Sequence, residues 1–326
     1  MRWVAWRQAR AAIIALAVVE ISLGAVVWYQ ARQIQGLDRQ MSFLRCNTSW
    51  VQACGPLSAQ VRQWDQWNVF IALAAIAIAV VVGAIIASLA VVGDLDRMSV
   101  RLGWTQSMTR SQWFLEKVGV GVLAVIGLTL PLSVMLAWWN ATTGYLPRVS
   151  VFGMSLSGGL LICYGLVTFS LVVAAGAVLR RTGWAIAVGI VAFGGVFLAA
   201  NSIESSILVQ QATAIAFYTN DPVTTPGFQG QTFHTGTPSG AWITASGWAP
   251  RHYHGVPTAA VFNTSTERLT ACKQSPAVCA STMHLVEVYV PDSEFPRLQV
   301  EEGLALLLGS FGLLGAGLLR LRRLEA

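Results

Sequence analysis

Residues 68–92 read Asn68-Val-Phe-Ile-Ala-Leu-Ala-Ala-Ile-Ala-Ile-Ala-Val-Val-Val-Gly83-Ala-Ile-Ile-Ala-Ser88-Leu-Ala-Val-Val92, and no charged residue interrupts them. A helix rising 1.5 Å per residue needs about 20 apolar residues to cross ~30 Å of hydrocarbon. This stretch is long enough to do so. Working outward from it, further apolar runs lie at roughly 11–29, 118–139, 152–179, 184–203 and 303–319, making six spans. The expected fold class is therefore an all-α polytopic membrane protein. It divides into 1–203 with the first five spans, a large loop at 204–300 of unassigned fold, and 301–326 with the sixth span and a basic tail.

Composition agrees with this division. Of 326 residues 55% are apolar and only 11% charged, against ~25% charged in soluble domains. An ordinary soluble globular protein is excluded, and the bilayer is the expected solvent. The net charge of +6 does not mark a nucleic-acid face: only Lys117 and Lys273 are lysines and the other 19 basic residues are arginines. That usage fits a GC-rich genome better than a nucleic-acid patch, and no nucleic-acid partner is expected.

The first run follows Arg2, Arg7 and Arg10, as in a signal peptide. Its core is too long, and no small-residue cleavage site follows Trp28 and Tyr29, so it reads as an anchor. Segments 1–10, 93–117, 180–183 and 320–326 hold 12 of the 21 basic residues, whereas loops 30–66 and 140–150 hold five. By the positive-inside rule both termini are expected in the cytoplasm and loops 30–66 and 204–300 outside. Trp28, Tyr29, Trp67, Trp138, Trp139 and Trp184 fall at span ends, where amphipathic rings prefer the headgroup level.

Cys46 and Cys54 lie in the first outer loop and Cys272 and Cys279 in the last, while Cys163 is alone inside the fourth span. Two local disulfides in an oxidising space fit this placement best, with four unpaired thiols as the alternative.

No Gly-x-x-x-x-Gly-Lys-Ser/Thr loop surrounds either lysine, so the chain does not hydrolyse ATP by itself. Gly119-Val-Gly121 mimics part of a dinucleotide fingerprint within an apolar span; close helix packing is the better reading, as for Gly158-Gly159 and Gly194-Gly195. His234, His252, His254 and His284 all belong to loop 204–300 without zinc-protease or zinc-finger spacing, and no Gly-x-Ser-x-Gly elbow occurs. No catalytic, metal or cofactor site is expected.

Glu20 stands midway along the first span. An exposed charge there costs at least ~2.5–3.5 kcal/mol, so the carboxyl is expected to be protonated, hydrogen-bonded, or facing a wet cavity. Two readings remain open: a contact in a substrate pathway, or a neutral acid tying spans together. Pro131 removes a backbone donor in mid-span and is expected to kink the third helix.

Residues 93–117 form a charged segment between the second and third spans. Asp94, Arg97 and Arg101 are spaced three and four apart, Met98 and Leu102 pair on a neighbouring face, and Thr109 with Gln112 makes a capping box for the third span. A helix lying along the membrane surface, then a turn, then a span is the expected shape. Trp104 and Trp113 would anchor it at the headgroup level.

Three regions together resemble the ATP-binding-cassette (ABC) transporter permeases of the type-two exporter superfamily, in a bacterial branch with six spans. The start, from Arg2-Trp3 through Trp6-Arg7-Gln8 to Arg10, is similar to the family's amphipathic lead-in to the first span. Asp94, Asp96, Trp104, Thr105, Gln106, Ser107, Arg110, Trp113 and Lys117 resemble its pattern before the third span. Tyr289, Pro291, Ser293, Phe295, Gln299 and Glu302 resemble its lead-in to the sixth. The family usually has glutamates at the positions of Asp94 and Asp96, Gly-Thr at Met98-Ser99 and an aromatic at Pro296, so the segment's turn and its contacts depart from the pattern.

The resemblance implies a permease subunit in the bacterial plasma membrane, surrounded by lipid. It implies a complex of two permeases, the second a copy or a paralogue, with two ABC ATPase subunits that carry ATP and Mg. Substrate would move outward by alternating access, with hydrophobic or amphipathic cargo such as an antibiotic, peptide or lipid. Of the inner segments only 93–117 is long enough for a transverse helix, so the ATPase contact falls on Asp94, Asp96, Arg97, Arg101, Thr105, Gln106, Ser107 and Arg110. Two other classes compete: a non-transporting receptor that senses a ligand with its outer loop, and an intramembrane enzyme using Glu20 or the outer histidines. The latter lacks a paired catalytic group.

Overall fold

The computed structural model describes residues 2–43, 54–96, 109–143, 159–211, 214–218, 242–250, 283–290 and 294–323. Its helices are α1 (Arg2–Phe43), α2 (Cys54–Ala87), α3 (Gly93–Asp96), α4 (Arg110–Thr143), α5 (Leu160–Leu179), α6 (Thr182–Gln211) and α7 (Phe295–Arg323). Six helical stretches are long and apolar enough to cross a membrane, Arg10–Leu37, Trp67–Asp96, Ser111–Ala141, Leu160–Leu179, Thr182–Ile203 and Phe295–Arg320, the second running from α2 into α3. These correspond one to one with the six apolar runs. A chain without water around its backbone must close every N–H and C=O within the helix, and this is why the apolar runs and the helices coincide.

The helices outrun the apolar stretches. Much of what reads as a loop at 30–66 is helix, because α1 continues to Phe43 and α2 already begins at Cys54. The two extensions hold each other by polar and aromatic contacts. Gln30 Nε2 donates to Asn68 Oδ1 at 2.8 Å and to the Trp64 carbonyl at 3.1 Å, and Tyr29 meets Trp64 edge-on at 6.5 Å. Gln30 and Asn68 are both buried, so the amide pair is shielded from competing solvent.

Within the bundle α5 is the centre: most of its residues are buried, whereas α1, α6 and α7 expose most of their apolar surface. Lipid-facing and core-facing residues are equally apolar here, so helix contact relies on close fit. At Gly83 on α2 an added Cβ would overlap the Gly165 carbonyl oxygen of α5 and lie 3.0 Å from the Phe169 nitrogen. Gly121 on α4 lets the Phe169 ring approach, its missing Cβ being 2.6 Å from the ring edge. The close-packing reading thus holds for Gly121. It fails for Gly119, Gly159, Gly194 and Gly195, where an added Cβ meets nothing within 4 Å, and Gly158 lies outside the described residues. Hydroxyls inside the helices are satisfied locally: Thr129, Thr168, Ser170 and Ser310 each donate to the carbonyl four residues earlier. The α4 helix continues on both sides of Pro131.

Aromatic placement divides. Trp28, Tyr29, Trp67 and Trp184 are exposed, as suits a headgroup belt, but Trp139 and Trp113 are buried. Trp113 packs in the apolar core with Phe114, Val118 and Phe169 rather than anchoring a surface helix. Three residues from the α4 start at Arg110, it is carried into the bundle by the helix's own rotation.

The chain divides into two compact units, one of 1–146, 151–199 and 296–326 and the other of 147–150 and 200–295. The second contains what periodicity at 204–300 left unassigned: an antiparallel sheet of β1 (Ala214–Tyr218), β2 (Trp242–Pro250) and β3 (Met283–Val290) in the order β1-β3-β2. Central β3 reads His284-Leu-Val-Glu-Val-Tyr-Val290, rich in β-branched and aromatic residues, and pairs Ala214 with Tyr289 and Trp248 with Leu285. A register shift between Ile243 and Ala245 marks a bulge in β2.

Candidate functional site

The end of the bundle at which α2 leaves the apolar core has an irregular backbone. Ser88–Val92 form a π-turn, and the Gly93 N–H donates to the Ser88 carbonyl. A Cβ at Gly93 would lie 2.9 Å from that oxygen, so the turn requires a residue without one. Ser88 Oγ donates to the Ile85 carbonyl at 2.7 Å. Such π-turns cost regular hydrogen bonding and recur at functional positions.

Directly after it, α3 delivers two carboxylates to two other helices. Lys117 Nζ on α4 lies 2.9 Å from Asp94 Oδ2, with both side chains partly shielded. Asp96 Oδ2 accepts from the Thr182 backbone N–H at 3.2 Å and from Thr182 Oγ1 at 2.8 Å. Thr182 opens α6, whose first N–H groups have no partner within the helix, so Asp96 caps that helix from another part of the chain and sits at the positive end of its dipole. The connection it braces is short: Arg180 takes φ 53°, its N–H donating to the Gly176 carbonyl to close α5, and α6 begins at Thr182.

α4 starts as its sequence indicates. The Thr109 N–H donates to Gln112 Oε1 and the Gln112 N–H donates to Thr109 Oγ1, each at 3.3 Å, a reciprocal capping box. One end of the bundle thus has the starts of α4 and α6 and the exit of α2 held together by two acids. We call this the clasp.

Of the residues expected to contact an ATPase, Asp94 and Asp96 are accordingly engaged with Lys117 and Thr182 of their own chain. Arg97, Arg101, Thr105, Gln106 and Ser107 lie outside the described residues, as does the surface helix expected there, and Arg110 is the first residue of α4. Cys46, Cys272 and Cys279 also lie outside, and Cys54 opens α2, so both disulfide pairings remain expectations. Among the histidines only His284 is described, in β3 opposite Ala249. Among the described residues no group of three His, Cys, Asp or Glu is placed to hold a metal.

Glu20 is 8% exposed, and its Oε1 has no hydrogen-bond partner among the described residues. A second carboxylate, not singled out by its own sequence context, behaves similarly. Glu302 on α7 accepts from Tyr164 Oη of α5 at 3.2 Å through Oε1, while its Oε2 is buried without a hydrogen-bond partner among the described residues. The Tyr164 ring meets Phe193 and Phe197 of α6 edge-on at 5.8 and 5.7 Å, and those two rings stack at 6.0 Å. Phe193 and Phe197 are four apart and so share a helix face, while Glu302 is the one member of this cluster that the resemblance named.

The family model described as ABC-2 membrane transporter related matches residues 13–203, more than half of the chain. The matched stretch holds the clasp, the π-turn, Glu20 and Tyr164, and stops before the sheet and α7. No curated protein and no solved structure matches the chain. With six helices of membrane-spanning length and a family match across the first five of them, the chain belongs to the ABC-2 membrane transporter related family.

Proposed function

We propose that this chain is the membrane subunit of an ATP-driven exporter, working with a separate ATPase that binds ATP and Mg. Family membership supports the permease role in ABC transport. The proposal adds two permeases and two ATPases per complex, outward movement, a hydrophobic or amphipathic cargo, and a bacterial plasma membrane with both termini in the cytoplasm.

The observation that carries the proposal is the clasp. Two closing ATPases perform work on cargo only if their motion reaches several spans at once. Segment 93–117 is the docking surface in this reading, and Asp94–Lys117 and Asp96–Thr182 connect it to α4 and α6 while the π-turn connects it to α2. A push on the segment is thereby shared among three helices. Asp94 and Asp96 act as internal struts, and Arg97, Arg101 and Arg110 are the charges assigned to the ATPase contact.

The test is a double variant, Asp96→Ala with Lys117→Ala, assayed for membrane insertion, capture of the ATPase and transport. Insertion and capture are expected to persist while transport falls. Transport equal to that of the unmodified chain would sink the assignment of the clasp. Reporter fusions at both termini and after Arg181 are expected to report cytoplasm, and fusions near Gly236 the outside.

A further inference from the structure

Both Glu20 and Glu302 lie within helices of membrane-spanning length, and each leaves one buried oxygen without a hydrogen-bond partner among the described residues. Neither makes an ion pair among the described residues, while Arg297 at the start of α7 is turned to Glu301 at 2.9 Å. Carboxylates in such a setting are costly unless something pairs with them. The two differ in their surroundings. Glu20 Oε1 has no hydrogen-bond partner among the described residues, whereas Glu302 is joined through Tyr164 to an aromatic cluster contributed by α5 and α6.

We propose that Glu302, Tyr164, Phe193 and Phe197 form a recognition site for the cationic group of a hydrophobic organic cation. This deepens the permease reading and rests on it, naming the substrate class. The chemistry follows from the parts. Tyr164 Oη holds Glu302 Oε1 and so fixes the carboxylate, leaving Oε2 as the free acceptor for an ammonium or guanidinium. Tyr164, which touches the carboxylate, gathers the rings of Phe193 and Phe197 around its own, and aromatic faces attract cations through their quadrupole and apolar groups through area. A ring cluster without the acid would suit any apolar cargo. An acid without the rings would suit an inorganic ion equally well. The combination selects a cation with an apolar body.

The cluster also bridges three spans, Tyr164 from α5, the phenylalanines from α6 and Glu302 from α7. Any alternating movement of α7 against α5 breaks or makes the Tyr164–Glu302 hydrogen bond. A cation at Oε2 therefore binds one arrangement of these helices better than another, as transport requires.

The experiment uses the full chain in lipid nanodiscs, without nucleotide, and two probes of matched shape and opposite charge, tetraphenylphosphonium and tetraphenylborate. Binding is measured by equilibrium dialysis for the unmodified chain and for Glu302→Gln, which keeps an acceptor for Tyr164 but removes the charge. The expected result is a loss of tetraphenylphosphonium affinity of about tenfold or more in Glu302→Gln, with tetraphenylborate unchanged. Tyr164→Phe keeps the ring and frees the carboxylate from its anchor, and a smaller loss of about threefold is expected. Where the glutamine variant fails to run as a single folded species, Phe193→Leu is read instead. It leaves the charge and is expected to weaken the cation alone. Equal binding of the two probes by the unmodified chain, or cation binding unaltered by the variants, overturns the site. Because no ATPase takes part, failure here leaves the exporter reading standing. Failure to capture an ATPase would sink that reading without touching this one.

Discussion

The acids of the clasp and the acids inside the helices are the same chemical group in opposite circumstances. Asp94 and Asp96 emerge from the end of α2, where water competes, yet each has a partner within 3.2 Å on another helix. Glu20 and Glu302 are placed where water is scarce, yet each keeps one oxygen without a hydrogen-bond partner among the described residues. The difference teaches what each pair is for. A polar group whose bonds are complete holds structure together, and one left incomplete in an apolar setting is retained for something that comes and goes. Substitution should therefore act in opposite directions at the two places: loss of a clasp acid weakens the fold and coupling, whereas loss of an interior acid spares the fold and removes binding.

The largest effect is expected where both regions fail together. Gly83→Leu drives a side chain into the Gly165 carbonyl beside Tyr164, on the same helix that ends in the clasp, and overpacking at backbone costs about 3 kcal/mol. Thermal unfolding in detergent should show a large drop in midpoint together with loss of both transport and cation binding. Next, Lys117→Glu places a second negative charge against Asp94. The pair is partly shielded, so the expected cost is only about 1 kcal/mol after solvent screening. The reciprocal change Asp94→Lys in the same chain should restore most of the lost midpoint, and no recovery would show that the charges do not meet.

A smaller loss, about 0.5–1 kcal/mol, is expected for Asp96→Ala, which uncaps α6 at an exposed position. Hydrogen exchange at the first turn of α6 should rise while the rest of that helix is unaffected. The least effect on stability, and the sharpest contrast, belongs to Glu302→Leu combined with Tyr164→Phe. Replacing both partners of a buried hydrogen bond by apolar groups is close to neutral. Its unfolding midpoint should stay level or rise while tetraphenylphosphonium binding disappears. A drop comparable to that of Gly83→Leu would make Glu302 a structural acid and erase the distinction between the two regions.

The capping box, the six spans and the clasp mark three grades of visibility. Thr109 and Gln112 are three residues apart and their bonds depend on little else, so spacing alone announced them. Lys117 and Asp94 were both singled out by resemblance, but nothing along the chain pairs them. Thr182, which completes the clasp, is 86 positions from Asp96 and carries no signal of its own. Trp113 was misread as a surface anchor because a charged neighbourhood suggests an interface, whereas the helix that begins at Arg110 turns that side chain inward.

What the amino-acid order determined by itself is the number of spans, their approximate limits and the helix start at Thr109. Transfer into hydrocarbon adds up residue by residue along a continuous run, and caps are local, so neither needs the rest of the protein. Tertiary structure alone decided which face of each helix turns inward. A soluble helix advertises its buried face by amphipathic periodicity, but in lipid both faces are apolar and the period vanishes. The choice of α5 as the central helix followed from fit at Gly83, Gly121 and Gly165. From that choice came the meeting of Tyr164 with Glu302, 138 positions apart, and with it the unpaired oxygen that no reading of the chain in one dimension foretells.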